Sequence, residues 1–334
     1  MMPLTANRMP KGRKEQKELL AALQQALSEM EQKLADFSVP GDPELEQGLK
    51  RLIQAGGKRL RPSLAWVCYR MGEEPKLPIL PLMCMIEWMH TASLIHDDVV
   101  DRAKTRRGVP ALHTQFGEKR ALAAGDLLLA QAMKELHIYR GTGINEALAE
   151  VSMHMCSGEF QQMRNRYRAD RQSIEVYEKQ IRNKTAYLIA TACFAGAAAG
   201  GLSEKQTGAL RAYGERIGTA FQLKDDLLDF TADADFGKKR GQDLISGIYT
   251  LPFLYACSDR PDASMLALAQ KKEKSEKEVQ TLISWTVEAG GIARTEERIR
   301  EVSKEAVRCL DVLPESPCRE ALKSIALVLK ERTT

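Results

Sequence analysis

Two copies of one acidic pattern, Asp-Asp-x-x-Asp, stand far apart in this chain, as Asp97-Asp98-Val99-Val100-Asp101 and Asp225-Asp226-Leu227-Leu228-Asp229. Each lies in an apolar run, with Ser93-Leu94-Ile95-His96 before the first and Phe221-Gln222-Leu223 before the second. Carboxylates resist burial unless positive charge compensates them, and neither pattern contains a cation of its own. On a helix, residues four apart project from one face. Asp97 therefore pairs with Asp101, and Asp225 with Asp229, while Asp98 and Asp226 flank them. Hard oxygen ligands gathered this way suit Mg²⁺, or Mn²⁺. Mg²⁺ keeps waters and completes its shell with phosphate oxygens, so two such carboxylate walls are suited to hold a diphosphate through bridging ions. One motif of this kind reads as a solvated helix end. Two matching ones in apolar runs read as metal ligands: Asp97, Asp98, Asp101, Asp225, Asp226 and Asp229.

An anion held by metal on one side needs cations on the other, and two basic clusters offer them. Gly56-Gly57-Lys58-Arg59-Leu60-Arg61-Pro62 joins a flexible glycine pair to three cations, and a backbone without side chains approaches phosphate closely. Arg106-Arg107-Gly108 follows the first acidic motif, and guanidinium groups match phosphate oxygens in a forked geometry. Taken alone, either cluster is an ordinary surface patch. Beside an acidic metal site, each gains a purpose.

These residues must be positioned by helices. The chain has 334 residues, 44% hydrophobic and 28% charged, enough for a large core and a normal surface. Aromatics are sparse while Ala, Leu, Glu, Lys and Gln abound, which favours helix. Leu20, Leu23, Leu27, Met30 and Leu34 form one amphipathic stripe. Pro40-Gly41-Asp42-Pro43 breaks the chain, a second helix is expected over 44–55, and Pro62 suits the first turn of a third. A long helix over 78–101 carries the first acidic motif at its end. Further helices are expected over 117–137, 145–167, 173–199 and 203–230, followed by charged amphipathic helices. No run alternates long enough for a strand. The apolar stretch 186–200 is too short to span a bilayer and reads as a buried helix. A net charge of +4 gives no argument for nucleic acid. Seven cysteines without a Cys-x-x-Cys pair point to a reduced, cytoplasmic setting rather than a disulfide or zinc scaffold, and the N-terminus lacks the apolar core of a signal peptide.

In the order of its elements the chain resembles the trans-type polyprenyl diphosphate synthases. The resemblance runs from about Gly56 to Pro252. It rests on Gly-Gly-Lys-Arg-x-Arg-Pro, His90, the first acidic motif with Arg106-Arg107-Gly108, Gly125-Asp126, Gly158-Glu159-x-x-Gln162, Lys184-Thr185, Phe221-Gln222, the second acidic motif, and Gly237-Lys238 to Asp243. It implies an all-α isoprenoid synthase fold, a single-domain helical bundle around a central cavity. Residues 1–43 would be an N-terminal helical segment and 44–334 the catalytic domain. It further implies Mg²⁺ as cofactor, isopentenyl diphosphate and an allylic diphosphate as substrates, and a homodimer. By position, Lys58, Arg61, His90 and Arg107 match residues that hold isopentenyl diphosphate. Arg106, Lys184, Thr185, Gln222 and Lys238 match contacts to the allylic substrate. Asp97, Asp101, Arg106, Lys184 and Asp225 then carry the ionisation. Apart from this resemblance, His90 reads as an ordinary helix histidine and Gln222 as a satisfied core amide.

Counting back from Asp97 by four and five residues gives Ser93 and Ala92, and about another turn gives Met89. Family members that stop at short products place bulky aromatics near the first two positions. Their absence implies a medium- or long-chain product, with Met85, Trp88 or Met89 as a deeper floor. Small residues there also serve close helix packing. Alternatives are a short-chain farnesyl or geranylgeranyl synthase and the catalytic subunit of a heteromeric synthase. A non-catalytic regulatory subunit is disfavoured by two intact acidic motifs, and a terpene cyclase by the second anion site.

Overall fold

The structure, a computed structural model, describes residues 13–231 and 240–331. Lys238 and Gly237 lie outside the described residues. Helices dominate: α1 (Arg13–Leu34), α2 (Pro43–Gln54), α3 (Leu60–Tyr69), α4 (Ile79–Val100), α5 (Leu112–Phe116), α6 (Glu118–Glu135), α7 (Ile144–Asn165), α8 (Ile174–Ile181), α9 (Tyr187–Ala199) and α10 (Glu204–Thr231). They continue as α11 (Gln242–Ile245), α12 (Leu251–Asp259), α13 (Ala263–Ala269), α14 (Glu276–Glu288), α15 (Gly291–Cys309) and α16 (Pro317–Glu331). Among the described residues no helix is long and apolar enough to cross a membrane, and all seven cysteines are free thiols.

Local chemistry accounts for the helix ends. Asp42 caps α2 by accepting the Leu45 amide, and Pro43 occupies its first turn. Ser275 and Glu278 form a capping box at α14. Two details depart from the expectations. The Arg106-Arg107-Gly108 segment is the tip of a short antiparallel ladder, β1 (Thr105–Arg106) with β2 (Val109–Pro110). It is too short to leave an alternating pattern. The stretch expected as one helix over 173–199 is α8 and α9 joined by a π-helical turn, Arg182–Ala186, a widening that periodicity does not reveal.

The chain forms two compact units. One comprises the chain up to Ala149 with Thr191–Arg211 and Val312–Leu322; the other comprises Glu150–Ala190, Ala212–Asp311 and the chain from Lys323. In the first unit α4 packs against α1, α3, α5 and α6, which explains why it is apolar on nearly every face. The α1 stripe is buried at Leu23, Met30 and Leu34, and Trp88 Nε1 donates to the Leu34 carbonyl at 3.4 Å. Helix α9 presses onto α3 backbone to backbone: a Cβ on Gly196 would lie 2.0 Å from the Ala65 carbonyl oxygen. In the second unit the scarce aromatics gather into one core, where Tyr249 stacks on Phe253 and Phe253 meets Trp285.

The glycines of this first unit separate by environment. Gly196→Ala would force α9 off α3 and cost about 1–3 kcal/mol. Gly208→Ala, exposed on α10 with nothing within 4 Å of the new methyl, should instead add about 0.5–1 kcal/mol. Thermal melting of the two variants checks the contrast; similar shifts would contradict the described α9–α3 contact.

Candidate active site

In the first unit the cations of the glycine-rich segment divide in function. Arg59 adopts a left-handed backbone (φ 45°) that turns its side chain inward. Its guanidinium donates to the Ile53 carbonyl at 2.7 Å, to Glu31 at 3.3 Å and to Glu87, and it is buried. Arg59 is therefore an anchor joining α1, the end of α2 and α4. Arg61 Nη1 lies 3.1 Å from His90 Nε2. Because a guanidinium only donates, that nitrogen is the acceptor and the ring is neutral. Burial first, then the fields of Arg61, Arg107, Arg59 and Arg106, hold the His90 pKa well below its ordinary 6.5.

Arg107 completes this basic pocket from the hairpin tip. Its left-handed backbone (φ 53°) lays the guanidinium against Gly57, where a Cβ would be 3.1 Å from Nη2. Nη2 is 3.6 Å from Glu87, while Nη1 is buried with no hydrogen-bond partner. Burial above all depresses the Arg107 pKa. A charged donor kept dry and unsatisfied is an anion site in waiting. Glu87, which balances both Arg59 and Arg107, was not among the residues expected from sequence. Its signal was present, since it is the lone acidic residue in the apolar stretch 79–96.

Arg106 is held differently. Its Nε donates to Asp98 Oδ1 at 2.8 Å and Nη2 to the same oxygen. Burial opposes the charge, but Asp98, with help from Asp97 and Asp101, raises the Arg106 pKa above its usual value. Asp98 is thus buried and committed to Arg106, whereas Asp97 is half-buried and Asp101 exposed at the end of α4. Glu87, His90, Asp97 and Asp101 fall at helical spacing along α4. Ala92 and Met89 are buried, and the Ser93 hydroxyl donates to its own helix at the His90 carbonyl, 2.8 Å away. One turn beyond Ala92, His96 abuts Gly125 of α6, so the smallness of Ala92 also suits the α4–α6 contact.

In the second unit α8 and the π-turn brace α7 and α10. The turn fits between two glycines: a Cβ on Gly158 would lie 2.8 Å from the Lys184 amide nitrogen, and one on Gly218 2.6 Å from Ala186 Cα. Lys184 Nζ donates to Glu159 Oε2 at 2.5 Å. Thr185 Oγ1 donates to Gln222 Oε1 at 2.8 Å, and Gln222 Nε2 to Asp226 Oδ1 at 2.9 Å. Buried Tyr177 donates to the other oxygen of Asp226. Burial raises the Asp226 pKa to about 7 despite these two donors, with Asp225 and Asp229 adding to the rise. Asp229 accepts the Gln242 and Asp243 amides at 3.0 and 3.1 Å, capping α11. Asp225 is exposed. Glu159 stands in the Gly158-Glu159-x-x-Gln162 element with no role assigned from sequence, and nothing in the pattern around Tyr177 marks it.

The two acidic motifs therefore share a division of labour. In each, the second Asp is buried in its own unit, and the solvent-facing side carries Asp97 and Asp101 in one, Asp225 in the other. Among the described residues no three His, Cys, Asp or Glu side chains form a ready cation cage. This donor set fits an ion that takes one or two carboxylates and fills its shell from water and phosphate, as Mg²⁺ does.

Two outcomes test the electrostatics of the first unit. Glu87→Leu removes the buried counter-charge of Arg59, which keeps only Glu31, and the carboxylate nearest half-buried Arg107, and should cost about 3–5 kcal/mol in chemical denaturation; an unchanged midpoint would refute the pairing. His90 has a pH signature. The unfolded chain accepts a proton near 6.5 that the folded site refuses, so stability falls as pH drops below that value. His90→Gln should flatten this slope in denaturation midpoints measured against pH.

Comparison with known proteins gives the family. The Polyprenyl synthetase family pattern matches residues 42–286. The chain is 34% identical to heptaprenyl diphosphate synthase component 2 of Geobacillus stearothermophilus over 290 residues, 86% of this chain and 90% of that protein. It is 34% identical to octaprenyl diphosphate synthase of Escherichia coli over 286 residues, 84% of this chain and 88% of that one. Among solved structures it superposes on a decaprenyl diphosphate synthase from Rhodobacter capsulatus with TM-score 0.89 and 29% identity, covering 96% and 99% of the two chains. A polyprenyl synthase from Caulobacter crescentus, solved with calcium and isoprenyl diphosphate, gives TM-score 0.86 at 30% identity, with 97% and 100% covered. With the all-α isoprenoid synthase fold and these relatives, the chain belongs to the polyprenyl synthetase family of prenyltransferases.

Proposed function

We propose that this chain condenses isopentenyl diphosphate with an allylic diphosphate and repeats the step to a medium- or long-chain all-trans polyprenyl diphosphate. The observation that carries the reading is the buried, unsatisfied Arg107 nitrogen beside neutral His90 and Arg61. It is a site for a second anion, which a cyclase does not need. Arg61, Arg107, Lys58 and His90 hold isopentenyl diphosphate. Arg106, Lys184, Thr185, Gln222 and Lys238 hold the allylic partner. Asp97, Asp101 and Asp225 are the metal ligands, and Asp98, Asp226 and Asp229 position them. When bound, Mg²⁺ supplies neutralising charge to the departing diphosphate. Arg106 and Lys184 add fixed positive charge where the leaving group gains negative charge, lowering the barrier electrostatically. The apolar flank of α4 excludes water from the allylic cation.

The curated relatives are named as hepta-, octa- and nonaprenyl synthases, which together with small Ala92 and Ser93 favours a long product over a farnesyl one. Two copies of this chain pair in the cytoplasm, in our reading, through α7. There Met153, Phe160 and Met163 are 74%, 71% and 51% exposed at helical steps, an apolar stripe of the kind that marks an interface. Relatives named as one component of a heptaprenyl synthase favour the second reading, a catalytic subunit that needs a different partner.

Purified protein incubated with Mg²⁺, farnesyl diphosphate and isopentenyl diphosphate should give products beyond farnesyl by mass spectrometry. A well-folded sample that elongates nothing would favour the heteromer. Asp97→Ala and Asp225→Ala should each lower turnover by at least about 10²-fold with melting temperatures near wild type. Near-normal activity in either would sink the metal assignment.

A further inference from the structure

We infer that Glu159 is a positioning residue that competes with diphosphate for Lys184, loosening the hold of the site on its anion. The inference rests on the reading of Lys184 as a diphosphate contact. Glu159 Oε2 accepts from Lys184 Nζ at 2.5 Å, while its Oε1 is buried with no hydrogen-bond partner. An unsatisfied buried carboxylate oxygen is costly, so stability alone does not account for an acid at this position. The acid is also carried close to the lysine by the backbone itself. The neighbouring Gly158 leaves only backbone between α7 and the π-turn, with a Cβ there falling 2.8 Å from the Lys184 amide nitrogen. Glu159 thereby starts one residue from this close approach, and its charge subtracts from the attraction that Lys184 offers to phosphate oxygens.

The chemistry of repeated elongation gives this subtraction a use. In each condensation the C–O bond to the allylic diphosphate breaks, the new C–C bond forms and the proton lost passes to the departing diphosphate. Inorganic diphosphate is left where the allylic diphosphate was. The lengthened chain keeps the diphosphate of isopentenyl diphosphate and must next occupy that same place. A site that gripped its anion as tightly as Lys184 alone allows would clear slowly between rounds.

The test is calorimetric titration of inorganic diphosphate, with Mg²⁺ present, into the full chain and into Glu159→Gln and Lys184→Met, with melting curves for all three. Glu159→Gln keeps the shape and removes the charge. It should bind about five- to tenfold tighter, the effect of roughly one net hydrogen bond, while Lys184→Met binds more weakly. A residue that only supported Lys184 would move affinity the other way. Weaker or unchanged binding by Glu159→Gln, with Lys184→Met weakened, overturns the competition. Equal binding by wild type and Lys184→Met overturns the reading of Lys184 itself and the inference with it. Should Glu159→Gln fail to fold, Glu159→Asp draws the carboxylate back by one methylene. A smaller gain in affinity is then expected, and a loss overturns the proposal.

Discussion

A site for diphosphate must keep cations dry enough to attract an anion strongly, and dry cations cannot stand alone. That constraint organises both units. In the first, Glu87 balances Arg59 and Arg107, and Asp98 holds Arg106; in the second, Glu159 holds Lys184. Each carboxylate is set on a long helix, and each cation comes from a loop, a hairpin tip or a widened turn. Helices fix the counter-charges to within a fraction of a turn, while irregular backbone lets the cations reach them. The left-handed conformations of Arg59 and Arg107 are the local cost of that reach, about 1–2 kcal/mol per residue for a side chain that is not glycine.

The same constraint separates buried anchors from their solvent-facing neighbours inside each motif. Lys58-Arg59-Leu60-Arg61 looks like three equivalent phosphate binders, yet Arg59 is consumed by Glu31, Glu87 and the Ile53 carbonyl. Asp-Asp-x-x-Asp looks like three equivalent ligands, yet helix geometry turns the middle acid about 100° away from the first. Asp98 and Asp226 therefore point into their own units and find Arg106 in one case, Tyr177 and Gln222 in the other. A buried partner fixes the rotamer of the middle acid and with it the local helix. Its neighbours, half-buried Asp97 and exposed Asp225, are thereby left on the solvent-facing side of the helix.

Much of this was legible in the sequence because period and breakers are strong signals in helical chains. The long helix ending at the first acidic motif, the proline-marked start of α3 and the apolar α9 all follow from spacing and composition. What spacing does not carry is pairing at a distance. Glu87 lies 28 residues from Arg59, and Tyr177 lies 49 from Asp226. Local patterns contain no term for such contacts. The π-turn escaped for a related reason: its extra residue is tolerated because Gly158 and Gly218 leave room on either side. That condition is set by two other helices and not by the segment itself.

Glycine placement is thus the second half of the electrostatic design. Where a charged group packs directly against backbone, a missing side chain makes the room. Gly57 admits the Arg107 guanidinium, and Gly158 brings the Lys184 turn against α7 one residue before Glu159. A methyl at Gly158 would have to move the turn, and a shift of even 1 Å separates an ion pair whose energy depends on contact. The glycines next to charged residues in the sequence are therefore best understood as setting distances between charges rather than lending flexibility.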